Sequence, residues 1–168
     1  ALFFAELEER AGKKIDWKKL YEKTSCHDVS EIWVSDIPTP VKHFNAQINK
    51  MIEAFEISEI DRMYVSGNTT MLHLFLGVDC SSMGVAPYTP VFLESKTVDA
   101  HSLGINGVKN VEILPSISAF VGADIVAGLN FVSKPTGNSF NMLVDLGTNA
   151  EIVLFSREKI LCTSAAAG

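Results

Sequence analysis

Three short stretches of this chain combine residue types that can hold phosphate or carry acid–base chemistry. The first is Leu143-Val144-Asp145-Leu146-Gly147-Thr148-Asn149-Ala150-Glu151. An apolar run delivers a carboxylate, Asp145, at its end. Gly147 carries no Cβ, so backbone can approach a ligand closely there. Successive N–H groups around Gly147, Thr148 and Asn149 can form an anion-binding nest, and Thr148 adds a hydroxyl donor. Asp145 suits a magnesium ion held through water, because magnesium keeps much of its hydration shell and favours carboxylate. The alternative for the same letters is an ordinary hairpin with a Gly-Thr-Asn turn.

The second stretch is Tyr64-Val65-Ser66-Gly67-Asn68-Thr69-Thr70-Met71. A β-prone run ends, glycine turns the chain, and a helix begins that Asn68 or Thr69 can cap. Free N–H groups and a partial positive charge at a helix start suit phosphate, which makes Gly67, Asn68, Thr69 and Thr70 candidate ligand contacts; a plain N-cap is the alternative. The third runs from Leu114 through Ser118, Phe120 and Gly122 to Asp124. Glycine within a helix costs about 1 kcal/mol against alanine, so Gly122 and Gly128 point to close approach by another backbone. Asp124 stands among apolar neighbours, where a carboxylate needs a partner or ligand, unless it lies on the polar side of its helix. Asp145, Glu151 and Asp124 are the candidate catalytic carboxylates. His43, His73 and His101 read as structural, and Cys26-His27 as unreactive neighbours.

The elements that must position these residues follow from periodicity. Residues 1–11 and 16–23 read as short helices, and 24–40 as irregular, with Pro38 and Pro40 as breakers. Phe44, Ile48, Met51, Ile52 and Phe55 recur at helical spacing. Residues 62–66 read as a strand and 69–76 as a helix closed by Gly77. Residues 78–110 are loop-rich. A brief strand is expected over 111–114, then a helix over 118–132 capped by Ser118 and presenting Phe120, Val121, Ile125 and Leu129. Strands follow over 141–145, 150–155 and 159–162, and the small-residue tail 163–168 should lead into a tight loop or closely packed helix. Strands alternating with helices, then a meander, indicate an α/β layered domain.

The composition narrows the function. With 168 residues, 47% hydrophobic and 20% charged, the chain is long enough for a sizeable core. A net charge of −6 with no dense basic cluster argues against nucleic acid. Cys26, Cys80 and Cys162 are far apart, with no CxxC pair for zinc or iron–sulfur, and sparse cysteine fits a reducing cytoplasm. Apolar runs fall short of the roughly 20 residues a spanning helix needs. The start, Ala1-Leu2-Phe3-Phe4-Ala5, lacks a basic region before it and does not read as a signal peptide.

Taken in order, several segments resemble one family. Val65–Leu74 is similar to V-A-G-N-T-T-M-L-H-L. Gly84-Val85-Ala86-Pro87-Tyr88-Thr89-Pro90-Val91-Phe92 resembles G-V-A-P-F-T-P-V-F. Leu114–Gly128 resembles L-P-G-I-S-A-F-V-G-A-D-I-V-A-G, with Ser116 for a glycine. Val144–Leu154 resembles V-D-I-G-T-N-G-E-I-V-L, with Ala150 for a glycine, and Cys162–Gly168 looks like the start of C-S-T-A-A-G-P-A-F-E-G. The family is the ATPases that reductively activate corrinoid proteins, whose ATPase part belongs to the actin/Hsp70/sugar-kinase superfamily. The resemblance covers 60–168 and is much weaker over 1–59.

It implies a partial actin/Hsp70-like (ribonuclease H-like) fold, a mixed sheet with flanking helices. Residues 1–59 would be a lead-in, and 60–168 part of an ATPase domain. It implies ATP and magnesium as cofactors, with Asp145, Gly147 and Thr148 in the second phosphate hairpin. By the same resemblance the first hairpin precedes residue 1, the adenosine segment follows Gly168, and an iron–sulfur cluster sits in a domain absent here. Such an activator couples ATP hydrolysis to reduction of inactive corrinoid cobalt, so its partners are a corrinoid protein and an electron donor, with a homodimer open. On this reading the chain is a central fragment, inactive alone. A non-catalytic corrinoid-protein docking module and a fragment of a small-molecule kinase remain the rivals, since function lives in sites and not in folds.

Overall fold

The computed structural model describes residues 38–166 apart from 57, 133 and 148. The helices expected over 1–11 and 16–23 lie outside the described residues.

The first helix, α1, spans Pro38–Ala54. It begins inside the stretch expected to be irregular. Pro38 and Pro40 sit in its first turn, where a helix has no acceptor for an N–H, so proline is tolerated there and fixes a helical φ. Ile48 and Ile52 pack on the core, while Met51, expected on the same face, is exposed. Two asparagines one turn apart grip the turn at 103–106. The amide of Asn45 donates to the Leu103 carbonyl. Asn49 donates to Gly104 O at 2.9 Å and accepts from Asn106 N at 2.9 Å.

The strands β1 (Ile60–Val65), β2 (Lys96–Asp99) and β3 (Val108–Ile113) form a mixed sheet in the order β1-β3-β2. β1 and β3 are parallel, β2 and β3 antiparallel. A parallel pair needs a crossover, and α2 (Thr69–Phe75) lies on it. β2 falls in the stretch read as loop: four residues, Lys-Thr-Val-Asp, are too short for alternation to stand out. Leu72, Phe75, Phe92, Ile105, Val111 and Ile113 form the first core.

The helix expected over 118–132 is shorter: α3 spans Ala123–Phe131. Ser118 does not cap it. Residues 118 and 121 form an isolated bridge, and Ser118 Oγ accepts weakly from Phe120 N at 3.4 Å. Phe120, expected on the apolar face, precedes the helix and is 54% exposed. The reason is at Gly122, the residue before the helix. A Cβ there would lie 2.4 Å from Asn68 Cα and 2.5 Å from Gly67 O. The expected close backbone approach therefore exists, and it sets where α3 can start.

β4 (Asn141–Leu146), β5 (Asn149–Phe155) and β6 (Ile160–Ala166) form an antiparallel meander. The third strand runs on through Ala166, into the tail expected to turn away. Leu143, Val153 and Cys162 are opposite one another across the sheet, and with Phe155 they pack against Val121, Ile125 and Leu129. Ala123 belongs to the first core and Ile125 to the second, so α3 joins the two sheets. On the other face Met142, Val144 and Leu146 are exposed. The described residues form a mixed α/β fold of two three-stranded sheets with helices packed against them. No helix among the described residues is long and apolar enough to cross a membrane.

Candidate functional site

The hairpin forms as expected. β4 and β5 pair with Asp145 directly opposite Glu151 and Leu146 opposite Ala150. Asp145 is exposed at its strand end. Glu151 is half-buried, and Ser164 of β6 donates to its Oε1 at 2.9 Å. Like charges directly opposite on a sheet repel. A hydrated divalent cation would relieve that repulsion, and oxygen-only donors suit magnesium. Among the described residues no group of three or more His, Cys, Asp or Glu is arranged to enclose a metal ion, so any ion here would keep most of its ligands as water or phosphate.

The turn differs from the expected nest in one respect. Gly147 N–H donates to Asn149 O at 2.8 Å. That donor closes the turn and is not aimed at a ligand. A Cβ on Gly147 would meet only Asn149 O, at 3.5 Å, so the position is open. Thr148 is outside the described residues.

Gly67–Thr70 does open a helix. Asn68 Oδ1 accepts from Met71 N at 2.9 Å, the expected N-cap. The surroundings are occupied by protein, however. Gly67 O accepts from Ala123 N at 2.9 Å, and Gly122 abuts both Gly67 and Asn68. Thr69 is 1% exposed and its hydroxyl donates to Ser118 O at 2.5 Å. Asp124 is half-buried in the first turn of α3, where its carboxylate favours the helix dipole. Its Oδ1 accepts from Ile125 N at 2.9 Å. The two helix starts, Gly67–Thr70 and Gly122–Asp124, are thus brought together. No hydrogen bond or ion pair among the described residues links them to Asp145 or Glu151.

Sequence reasoning missed the environment of His73. Its ring is fully buried, stacked on Phe92 at 4.2 Å between centroids. The Thr69 carbonyl lies 2.7 Å from Nδ1, and Val91 N and Phe92 N lie 3.1 and 3.4 Å from Nε2. The structural reading of His73 holds. The signal available was its place four residues after Thr69, one helical turn away.

Comparison with known proteins finds matching families along the chain. Residues 38–133 match the family described as RACo middle region, and 139–168 match the C-terminal domain of RACo, the ASKHA domain. The first span holds β1–β3 and α3, the second β4–β6. Residues 1–70, which include the stretch 1–59 where the resemblance is weaker, match the 5'-deoxynucleotidase YfbR-like family. The corrinoid activation enzyme RamQ of Eubacterium limosum is 31% identical, over 68% of this chain and 19% of its own length. The [Co(II) methylated amine-specific corrinoid protein] reductase of Methanosarcina barkeri is 29% identical, over 72% of this chain and 25% of its own. The 5'-deoxynucleotidase YfbR of Escherichia coli is 40% identical over 45 residues, 27% of this chain and 23% of its own. A solved structure of a reductive activator for a corrinoid, iron–sulfur protein superposes with a TM-score of 0.72 at 31% identity, covering 79% of this chain and 22% of that one. The chain spans about a fifth to a quarter of the length of these relatives.

Proposed function

Because the chain belongs to the RACo family, we propose that it is part of an ATP-dependent activator that reduces inactive corrinoid cobalt in a partner protein. The observation that carries this is the hairpin with Asp145 exposed at its strand end, opposite Glu151, at the start of the ASKHA match. Asp145 would hold a magnesium ion through its water shell. Thr148 and Asn149 would supply phosphate contacts, and Glu151, which accepts from Ser164, would add a second carboxylate. Magnesium neutralises charge on a transferring phosphoryl group. The chain's own residues position and orient; the corrinoid protein is the partner, and ATP with magnesium the cofactors, of the whole activator. A separate electron donor, and an iron–sulfur group in another part of the activator, would supply the redox chemistry.

Gly67–Thr70 and Asp124 then serve as the joint between the starts of α2 and α3 within the middle region. The buried Thr69 hydroxyl and the packing of Gly122 against Gly67 support that role over direct contact with nucleotide.

The test is ATP turnover by a full-length activator carrying this sequence, with and without a corrinoid protein. Asp145→Asn removes the charge at constant size and should cut turnover by orders of magnitude with the fold intact. Thr148→Ala should lose about ten- to a hundredfold, the scale of one charge-assisted hydrogen bond of about 1.5–3 kcal/mol. Normal turnover in a folded Asp145→Asn protein sinks the hairpin assignment. Corrinoid binding without turnover would favour a docking module, and phosphorylation of a small metabolite a kinase.

The match over residues 1–70 favours a second reading for that part alone: a segment of 5'-deoxynucleotidase type. Release of phosphate from deoxynucleoside monophosphates by the 168-residue chain would support it. Absence of release across a panel of divalent ions would leave α1 as scaffold for the first sheet.

A further inference from the structure

Two surface segments of the middle region are connected below the surface by the buried side chains of Thr69 and His73. One segment is 84–93. It exposes Val85, Tyr88 and Val91 before Phe92 enters the core. The other is the turn 116–121, which exposes Phe120. Their tips touch, with the rings of Tyr88 and Phe120 edge to face at 5.3 Å. Their bases also touch, through Ser116 N–H donating to Leu93 O at 2.8 Å.

Beneath that contact lie Thr69 and His73, 1% and 0% exposed. The proton positions follow from what each partner can do. Val91 and Phe92 offer Nε2 only N–H donors, so Nε2 is the acceptor. The Thr69 carbonyl can only accept, so Nδ1 carries the hydrogen. Ser118 likewise offers Thr69 Oγ1 a carbonyl, so the hydroxyl donates. The bonds therefore connect without a gap: Val91 and Phe92 N–H to His73 Nε2, His73 Nδ1–H to Thr69 O, and Thr69 Oγ1–H to Ser118 O. Every side-chain polar atom in this path is buried, where an unmade hydrogen bond is expensive and the made ones reinforce each other. Ala123 N–H bonds Gly67 O just before Thr69, so the path is seated on the start of α3.

We propose that Thr69 and His73 form a buried relay that couples segment 84–93 to turn 116–121, so that the exposed apolar residues on both move as one unit. Whatever displaces Tyr88 or Val91 is felt at Phe120 and at the start of α3, and the reverse.

Hydrogen exchange on the 168-residue chain tests this, because each variant is read at the segment it does not touch. Thr69→Val removes only the hydroxyl donor to Ser118, at constant shape. It should speed exchange at Val91 and Phe92 N–H by roughly tenfold, the scale of one buried hydrogen bond. His73→Phe keeps the stack on Phe92 and removes both ring nitrogens. It should speed exchange at Ile117 and Ser118 N–H, whose acceptor is Val121 O. Thr69→Ser restores the hydroxyl and should return exchange to the original rate. The proposal is overturned if each variant loosens only its own segment. It is equally overturned if Val111 in β3 speeds up by the same factor, which would mean general destabilisation. Should a variant not fold, the long-range proton–nitrogen spectrum of the unaltered protein decides: a hydrogen on Nδ1 alone is expected, and one on Nε2 breaks the path.

Discussion

Gly122→Ala is the most informative single change to the fold. The added Cβ would stand 2.4 Å from Asn68 Cα, 2.5 Å from Gly67 O and 2.8 Å from Asp124 Oδ1. Two of these are backbone atoms that no rotamer change can move. Ordinary contact needs about 3.4–4 Å, so the two helix starts must part by roughly 1 Å. Overpacking of this kind costs about 1–3 kcal/mol. The separation also stretches Ala123 N–H to Gly67 O, now 2.9 Å, and Thr69 Oγ1 to Ser118 O, now 2.5 Å. Each contributes about 0.5–1.5 kcal/mol. Alanine recovers about 0.4–1 kcal/mol through the unfolded chain, and Gly122, at φ −91°, carries no left-handed strain to relieve. The net loss is about 1–5.5 kcal/mol, or on the order of 2–20 °C in Tm for a chain of this size. Urea and thermal unfolding followed by circular dichroism measure it. A loss under about 0.5 kcal/mol would mean that the two helix starts are not in backbone contact, and the joint would have to be redrawn.

Gly147→Ala is the contrasting case: the Cβ meets only Asn149 O at 3.5 Å, so Tm should stay within about 2 °C, and any loss of nucleotide affinity in a full-length activator then reports ligand approach to the turn. Lys96 at 2.6 Å is the first cause that brings the Glu94 carboxyl down to about 2, with backbone N–H groups adding to it. A carboxylate depressed when folded stabilises above its ordinary value near 4.3, and that contribution is lost as pH falls toward 2. A carbon-13 carboxyl titration should place Glu94 near 2, and Lys96→Met should move it back up; a midpoint near 4 in the unaltered protein would show that the pair is not formed. Leu146 is 78% exposed on an apolar sheet face, so Leu146→Lys should cost less than about 0.5 kcal/mol and reduce self-association in sedimentation velocity. A strongly destabilised variant would mean that this face is covered in the chain.

Local order along the chain was legible from residue types. The hairpin around Asp145 could be read because two short apolar runs, Met142–Val144 and Ile152–Phe155, flank the turn residues Gly147-Thr148-Asn149. The N-cap at Asn68 could be read because its side chain acts on a donor three residues away. Signals of this range stay within one element. β2 and the start of α1 were misread because each depends on more than its own letters: four strand residues owe their strand state to pairing with β3, and α1 owes its docking to Asn45 and Asn49 gripping the distant 103–106 turn.

The tertiary structure alone decided what the second and third motifs do. Read singly, Gly67–Thr70 is a helix start fit for phosphate, and Ser118–Asp124 a capped helix with a needy carboxylate. Folded, the two starts face each other. Gly122 gives up its side chain to let them touch, Gly67 O takes the N–H of Ala123, and the Thr69 hydroxyl is spent on Ser118. Residues more than 45 positions apart along the sequence fill each other's hydrogen bonds. No local pattern encodes such a pairing, because it is set by how two sheets and the helix between them close on their cores.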